Sequence, residues 1–226
     1  MTSTKDSFQG FGLSSSTLEG LKNMGYDKPT PVQRDTIPGV LEGHDLVVQS
    51  RTGTGKTAAF GIPIVERVDV GRGEIQALVL TPTRELTMQV REEIARIGAS
   101  KGVRVQSIYG GDSIADQVRG IEAGAQVAVG TPGRVLDLLK RGALRLDAAA
   151  TLVLDEADRM LDMGFAVEMG QIMTFVPKER QTLLFSATVP LGIRGLIYNY
   201  LKEPRWVLLS EDFAYVKDVR HTYIIT

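Results

Sequence analysis

Cysteine is absent from the 226 residues of this chain, and histidine occurs only twice. The lack of cysteine excludes disulfide bonds, thiolate metal sites and a cysteine nucleophile, and two histidines leave little room for a histidine-rich metal site. No apolar run approaches the roughly 18 residues that cross a bilayer, and the polar start lacks the features of a signal peptide. We therefore expect a folded protein of the cytoplasm.

An excess of charge of one sign is also missing, since 26 lysines and arginines stand against 27 aspartates and glutamates, for a net charge of −1. A protein that holds polyanions by its bulk charge is strongly basic. Any contact with nucleic acid must therefore be local.

Short apolar runs alternate with longer amphipathic segments, which is the pattern of a parallel sheet with crossover helices. Most of the runs lack polar alternation, as expected of strands that are covered on both faces. The sequence predicts an α/β, doubly wound, mainly parallel sheet with helices on both faces. The predicted strands are residues 46–49, 77–81, 103–109, 126–130, 151–154, 182–185 and 206–209, and helices are predicted at 17–24, 58–65, 87–98 and 133–140.

A glycine-containing segment follows the first predicted strand and precedes a helix. Its residues are Ser50, Arg51, Thr52, Gly53, Thr54, Gly55, Lys56 and Thr57. The two glycines let backbone N–H groups surround a phosphate, Lys56 can reach the outer phosphates, and the Thr57 hydroxyl can ligate Mg²⁺. Because Ser50 replaces the first glycine of the general phosphate-loop pattern, a plain turn between strand and helix is the alternative.

Acidic residues follow the predicted strand 151–154, at the carboxyl end where ligands bind on open α/β sheets. Buried charge is costly unless a metal or a basic group compensates it. We predict that Asp155 holds Mg²⁺ and that Glu156 orients or deprotonates an attacking water. The alternative is that these acids cap the next helix, an interpretation that suits Asp158 best.

Seven short motifs occur in order over nearly the whole chain. They are Gly25 to Gln33 with the upstream aromatic Phe8, the loop through Thr57, Pro82 to Leu86, Gly110 with Gly111, Thr131 to Arg134, Asp155 to Asp158, and Ser186 to Thr188. In this order they resemble the amino-terminal RecA-like domain of the DEAD-box family of ATP-dependent RNA helicases. In that family the first loop position is small as well, so Ser50 fits it. Thr87 and Met88, before Gln89, depart from the family, which more usually has alanine at the first of these two sites.

The resemblance implies ATP and Mg²⁺ as cofactors. The amide of Gln33 can pair with the N6 and N7 edge of adenine because it both donates and accepts hydrogen bonds. We predict that it lies in a loop stiffened by Pro29 and Pro31. Phe8 is predicted to stack on the base, with core packing beside Phe11 as the alternative. By resemblance, Tyr26, Lys28 and Thr30 also contact the nucleotide.

The resemblance further implies an RNA surface at the ends of other strands, formed by Pro82, Thr83, Arg84, Gly111, Thr131 and Arg134. Hydroxyls, helix-start N–H groups and arginines suit phosphate oxygens, which carry no base information, so we expect sequence-independent binding. For Thr131, a simple helix cap is the alternative. Asp158, Ser186 and Thr188 are expected to hydrogen-bond one another and to couple nucleotide state to RNA, with a plain strand-end cap as the alternative.

Residues 1–220 are predicted to form the RecA-like helicase ATP-binding domain, and residues 221–226 the start of a linker or the first strand of a second RecA-like domain. Such a second domain would supply arginine fingers, so we expect the isolated chain to be nearly inactive. The predicted function is to bind ATP, Mg²⁺ and the RNA backbone, and to hydrolyse ATP for local duplex unwinding when joined to that domain. The alternatives are a nucleotide-dependent RNA clamp or scaffold without unwinding, and a DNA translocase or other P-loop ATPase.

Overall fold

The computed structural model describes residues 6–51 and 53–209. Within these ranges, seven strands form one sheet and nine α-helices surround it, with short 3₁₀ helices at Phe8–Phe11 and Ala99–Lys101. The strands are β1 (Leu46–Gln49), β2 (Ala77–Leu80), β3 (Val105–Ile108), β4 (Val127–Gly130), β5 (Thr151–Leu154), β6 (Gln181–Ser186) and β7 (Arg205–Leu208). The helices are α1 (Ser15–Asn23), α2 (Pro31–Leu41), α3 (Lys56–Arg67), α4 (Arg84–Ile97), α5 (Ile114–Glu122), α6 (Pro132–Lys140), α7 (Ala157–Asp162), α8 (Ala166–Ile172) and α9 (Leu191–Tyr200).

The predicted α/β class is confirmed. The strands lie in the order β3-β4-β2-β5-β6-β1-β7, and every pairing between described strands is parallel. No helix in the described ranges is both long and apolar enough to span a membrane.

Each face of the sheet carries its own apolar layer, because successive side chains of a strand point to opposite faces. In β2, Val79 belongs to the layer formed with α1 to α4, whereas Leu78 and Leu80 belong to the layer formed with α6 to α9. Strands β1, β2, β4, β5 and β6 are buried along their whole length. This explains why their sequences read as continuous apolar runs rather than alternating ones.

The strand register brings the carboxyl ends of the central strands to one edge. Gln49 pairs with Ser186, and Leu80 pairs both with Leu154 and with Gly130. The segments that follow these strands therefore leave the sheet side by side. All the polar motifs found in the sequence after strands belong to this edge, as expected for an open α/β sheet.

Two local predictions were wrong. Gln33 lies in the first turn of α2 rather than in a loop, because Pro31 occupies the first helical position, where its missing N–H costs nothing. The Gln33 side chain also accepts from the backbone N–H of Thr30, the N-cap residue, which stabilises this helix start. The predicted strand 103–109 is shorter, because the N–H of Val103 bonds to the carbonyl of Gly98 in the turn after α4. The predicted strand at 221–226 lies outside the described residues.

The packing of α1 on α4 leaves no room for a side chain at Gly20, where an added Cβ would collide with the carbonyl of Ile97. We expect Gly20→Ala to lower the free energy of unfolding by about 1–3 kcal/mol in urea titrations, as overpacked sites do. Gly195→Ala is the matched control, since Gly195 lies within α9 and its Cβ would meet nothing within 4 Å. That variant should gain about 0.5–1 kcal/mol from helix propensity, and equal midpoints for the two variants would contradict this account of the packing.

Candidate functional site

The phosphate loop runs from the end of β1 into α3. Gly53 and Gly55 adopt left-handed backbone angles, with φ of 78° and 90°, and an added Cβ on Gly53 would meet nothing within 4 Å. At Gly55 such a Cβ would lie 2.7 Å from Nε2 of Gln33. Glycine is therefore required at residue 55 by both conformation and space, and the loop is open to an anion at residue 53.

Lys56 begins α3 and is only 7% exposed. Its Nζ donates to the carbonyl of Ser50 at 3.1 Å, and among the described residues no carboxylate forms an ion pair with it within 4.0 Å. A buried ammonium group without a counterion is costly. The site therefore favours an anionic ligand beside Lys56.

Asp155 leaves the end of β5 and is only 3% exposed. Its Oδ1 accepts from the backbone N–H of Glu156 at 3.0 Å. Burial raises the pKa of Asp155 to about 7, against the opposing effect of the Lys56 charge. The carboxylate thus lies in the same electrostatic environment as Lys56, and a cation would stabilise its charged form.

Glu156 has φ of 50° and ψ of 50°, a left-handed conformation that is unfavourable for a residue with a side chain. Its carboxylate is partly buried, and Oε2 lies 3.5 Å from a guanidinium nitrogen of Arg159. Backbone strain of this kind persists where the surrounding structure enforces it, and it occurs most often at functional sites. Here it turns the chain sharply between β5 and α7, directly after Asp155.

The start of α2 contacts the phosphate loop through Gln33, which is 3% exposed. Its Oε1 accepts from the backbone N–H of Thr30 at 3.0 Å, and its Nε2 donates to the carbonyl of Gly55 at 3.2 Å. The amide keeps one hydrogen and one lone pair for another partner. Adenine recognition by Gln33 stays a prediction, and the structure adds a direct link from this side chain to the loop.

Phe8 is 2% exposed and packs edge-on against Phe11, with 6.1 Å between ring centroids. Its other neighbour is Tyr26, whose ring is stacked at 6.4 Å. These contacts favour the core-packing alternative for Phe8, and base stacking stays a prediction. Tyr26, which is only partly buried, borders a cavity of about 430 Å³ together with Phe8.

Asp158, Ser186 and Thr188 are in contact. The backbone N–H and the hydroxyl of Thr188 both donate to Oδ2 of Asp158, at 2.9 and 3.0 Å, and the N–H of Asp158 bonds to the Ser186 hydroxyl at 3.3 Å. Burial works to raise the pKa of Asp158, but the hydrogen bonds, chiefly those from Thr188, outweigh it and lower the pKa. The N–H of Ser50 also bonds to the carbonyl of Ser186 at 3.2 Å, so this cluster adjoins the phosphate loop.

The predicted RNA residues follow β2, β3 and β4, on the other half of the same edge. Thr83 caps α4 by accepting from the N–H of Leu86 at 3.2 Å, and the exposed Arg84 lies over the ring of Tyr109 at 4.7 Å from its centroid. Gly111 has φ of 82°, and an added Cβ there would lie 4.0 Å from the Arg84 guanidinium. These residues form one polar surface.

Arg134 continues this surface from α6, where it donates to the carbonyl of Asp112 at 3.1 Å and to Oε1 of Gln117 at 3.3 Å. Thr131 is the N-cap residue of α6, although its side chain makes no capping bond. The Asp112 carboxylate accepts from Ser113 and Tyr109, and these bonds, together with the charges of Arg84 and Arg134, lower its pKa. The exposed Asp112 carboxylate is thus close to the charges of Arg84 and Arg134.

Comparison with known proteins agrees with this geometry. A sequence model described as DEAD/DEAH box helicase matches residues 30–194. The chain belongs to the DEAD/DEAH box helicase family. Among curated relatives, the chain is 49% identical over 217 residues to the DEAD-box ATP-dependent RNA helicase CshA of Geobacillus kaustophilus, and 49% identical over 217 residues to CshA of Streptococcus pneumoniae. These alignments cover 96% of this chain but only 46% and 41% of the relatives.

Solved structures give the same result. A DEAD box protein from Methanococcus jannaschii superposes with a TM-score of 0.86 and 40% identity, over 90% of this chain and 56% of that one. A hypothetical ATP-dependent RNA helicase from Sulfolobus tokodaii gives 0.81 and 37%, over 87% and 57%. The RecA-like architecture is therefore confirmed, and the chain spans about half the length of the relatives it matches.

For four of the residues predicted to bind ligands, the structure shows no side-chain contact with the candidate site within the described residues. The side chain of Lys28 is exposed and, within residues 6–51 and 53–209, makes no hydrogen bond or ion pair with the loop or with Asp155. Arg51 belongs to the loop, where its carbonyl accepts from the Thr54 hydroxyl at 3.1 Å, and its side chain is exposed. Pro82 is buried in the turn before α4. Thr52 lies outside the described residues. The roles of these four residues stay predictions.

Some contacts were missed by sequence reasoning. Gln49 donates to the carbonyl of Ala187 at 3.1 Å, and Gln117 donates to the carbonyl of Tyr109 at 2.9 Å. The available signal was a polar residue at a buried position, since Gln49 ends a buried strand and Gln117 is the buried residue of the amphipathic helix α5. A third missed residue, Glu93, contacts Tyr26 at 2.9 Å, and nothing in the spacing of the motifs marked it.

The family implies Mg²⁺, and the donor set fits it. Within the described residues no cluster of three or more acidic or histidine side chains forms a complete metal cage. Mg²⁺ is usually held by one or two carboxylates, substrate phosphates and water rather than by a protein cage. Asp155 and the hydroxyl of Thr57, near the buried Lys56, offer oxygen donors of that kind, and their role as ligands stays a prediction.

The raised pKa of Asp155 makes a prediction about stability. At pH values between 3.8, its ordinary pKa, and about 7, the folded protein keeps the Asp155 proton, whereas the unfolded chain has released it. The contribution of Asp155 to the free energy of unfolding therefore decreases as the pH rises through this interval. In EDTA at about pH 8, we expect Asp155→Asn to melt several degrees above the parent chain, with the gain shrinking toward pH 4. The measurement is the melting temperature of each protein across pH, and the variant Asp147→Asn, at an exposed residue, is the control. If the difference in melting temperature between Asp155→Asn and the parent chain did not change with pH, the raised pKa of Asp155 would be contradicted.

Proposed function

We propose that this chain binds ATP with Mg²⁺ at the edge formed by β1, β5 and β6. The observation that carries the proposal is the pair of buried, oppositely charged side chains, Lys56 and Asp155, neither of which forms an ion pair within the described residues. A phosphate beside Lys56 and a divalent cation beside Asp155 would compensate both charges. The open, left-handed backbone at Gly53 gives the phosphates access to N–H groups.

We further propose that the chain contributes to ATP hydrolysis. Asp155 and Thr57 would hold Mg²⁺, which would supply charge neutralisation for the transferred phosphoryl group. Glu156 follows Asp155 on a strained turn and is the residue that would orient or deprotonate the attacking water. Lys56 would hold the outer phosphate oxygens. This set of groups favours turnover over a clamp that binds without hydrolysis.

RNA is the proposed second ligand, at the edge formed by β2, β3 and β4. Arg84, Arg134 and the helix starts at Thr83 and Thr131 offer donors to phosphate oxygens. The cluster of Asp158, Ser186 and Thr188 lies beside the phosphate loop, and we propose that it links the two ligands. Relatives named ATP-dependent RNA helicase support this proposal. Duplex unwinding would require a second RecA-like domain joined to this one.

Lys56→Ala tests the nucleotide site. We expect the affinity for ADP in Mg²⁺ to fall about 10- to 100-fold, because a charged hydrogen-bond donor to phosphate is lost. Thermal unfolding checks that the variant is folded, because the substitution also removes the charge that stabilises the Asp155 carboxylate. Titration of a fluorescent ADP analogue gives the affinity, and Lys178→Ala, on an exposed turn before β6, is the matched control. Unchanged affinity for the Lys56 variant would exclude the assignment.

Asp112→Asn tests the RNA surface. Removing the negative charge beside Arg84 and Arg134 should raise the affinity for single-stranded RNA about two- to fivefold at low salt. Fluorescence anisotropy measures this affinity, and Asp147→Asn, which changes net charge equally but lies elsewhere on the surface, should leave it unchanged. Competition with DNA of the same sequence distinguishes an RNA-specific site from a general polyanion site. A loss of affinity in the Asp112 variant would place RNA elsewhere.

A further inference from the structure

Gln117 lies on α5, outside every motif of the sequence analysis, and its side chain points away from solvent. Only 4% of the residue is exposed, whereas the other residues of this helix are half-buried or exposed. A buried amide needs partners for both its donor and its acceptor, because an unpaired polar group is costly there. Both partners of Gln117 belong to the proposed RNA surface or support it.

The amide nitrogen of Gln117 holds the backbone that follows β3. Its Nε2 donates to the carbonyl of Tyr109 at 2.9 Å, two residues before Gly111. The ring of Tyr109 lies beneath the guanidinium of Arg84, with 4.7 Å between the guanidinium carbon and the ring centroid. Because a guanidinium is attracted to the face of an aromatic ring, the position of Tyr109 influences that of Arg84.

The amide oxygen of Gln117 contacts the second arginine of this surface. Nη1 of Arg134 donates to Oε1 of Gln117 at 3.3 Å and to the carbonyl of Asp112 at 3.1 Å. Both bonds use Nη1, and in the described part of the chain Nη2 and Nε of Arg134 donate to no protein group. The side chain is thus held at one nitrogen, and its two other nitrogens stay available for a phosphate.

The two arginines keep their full charge in this arrangement. Among residues 6–51 and 53–209, no carboxylate oxygen lies within 4.0 Å of a guanidinium nitrogen of Arg84 or Arg134. Gln117 is neutral, so it accepts from Arg134 without reducing the charge of the guanidinium. A carboxylate in the same place would attract the arginine and compete with a phosphate for it.

We propose that Gln117 is a positioning residue of the RNA surface, which fixes Arg134 through a neutral acceptor and holds Tyr109 beneath Arg84. The proposal rests on the proposed RNA surface. An arginine that is already held loses less side-chain freedom when it binds, which favours association. Gln117 itself is buried and is not expected to touch RNA, so it strengthens contacts with the backbone without reading bases.

The experiment measures the affinity of the 226-residue chain for a labelled single-stranded oligouridine RNA by fluorescence anisotropy. Gln117→Met keeps an unbranched side chain of similar length but removes both hydrogen bonds. We expect the affinity to fall about two- to tenfold, because Arg134 would then become fixed only on binding. Thermal unfolding selects a temperature at which every variant is folded.

Gln126→Met is the matched control. Gln126 is also buried, and its amide also bonds at both ends, to the N–H of Arg104 and the carbonyl of Val70. It directly precedes β4, at the end of the strand opposite to the proposed RNA surface. The control should therefore share any loss of stability but bind RNA like the parent chain.

A double-variant comparison tests whether Gln117 acts through Arg134. Arg134→Ala alone should weaken RNA binding at least as much as Gln117→Met does. Adding Gln117→Met to Arg134→Ala should then cause a smaller loss than it causes in the parent chain, because the two residues share one contact. A merely structural role for Gln117 would give the same loss in both backgrounds.

Gln117→Glu tests the neutrality of the acceptor and does not depend on the folding of the methionine variant. The carboxylate can still accept from Arg134, but it neutralises the charge. We expect weaker RNA binding and a slope of log affinity against log salt that is smaller by about one unit. Gln126→Glu adds the same charge elsewhere and should leave this slope unchanged.

The outcomes are distinct. Unchanged affinity of folded Gln117→Met, or equal losses with and without Arg134, overturns the role of Gln117 and leaves the RNA surface intact. An unchanged salt slope in Gln117→Glu overturns the neutral-acceptor argument. If Arg134→Ala binds RNA as tightly as the parent chain, or if the parent chain binds none, the proposed RNA surface fails and this inference fails with it.

Discussion

The site depends on a lysine and an aspartate that the fold buries at one edge of the sheet without an ion pair between them. Lys56 is fixed by the start of α3 and Asp155 by the end of β5, and both are almost fully enclosed. Direct pairing would satisfy them and leave no place for a ligand. Keeping the two side chains buried and apart is unfavourable. The packing of the two apolar layers around the central strands offsets this free energy and fixes the positions of α3 and β5.

The sheet divides this edge into two halves. The proposed nucleotide residues follow β1, β5 and β6, and the proposed RNA residues follow β2, β3 and β4, so the border runs between β2 and β5. Asp158 and Ser186 lie on the nucleotide side, and Ser186 also accepts the first backbone bond of the phosphate loop. The phosphate loop and Asp158 are therefore joined by two hydrogen bonds through Ser186, the last residue of β6.

Much of this could be predicted from the sequence, and the reasons are physical. Buried parallel strands give continuous apolar runs, and the polar residues after them lie at strand ends, so the fold class and the position of Lys56 and Asp155 follow from pattern alone. Gln33 was placed in a loop because two nearby prolines resemble helix breakers, although proline is favoured at the first helical position. The contacts of Glu93 and Asp112 could not be predicted. Glu93 contacts Tyr26, which is distant in sequence, and the surroundings of Asp112 depend on the conformation of the loop after β3.

The close approach of Gln33 to Gly55 restricts how this protein can change. The helix start that is expected to recognise the base also supports the turn that is expected to hold the phosphates, with no space between them for even a methyl group. The proposed base-recognition residue Gln33 and the proposed phosphate turn at Gly55 consequently cannot change independently. In the proposed nucleotide site, a substitution that changes the position of Gln33 would therefore also change the turn at Gly55.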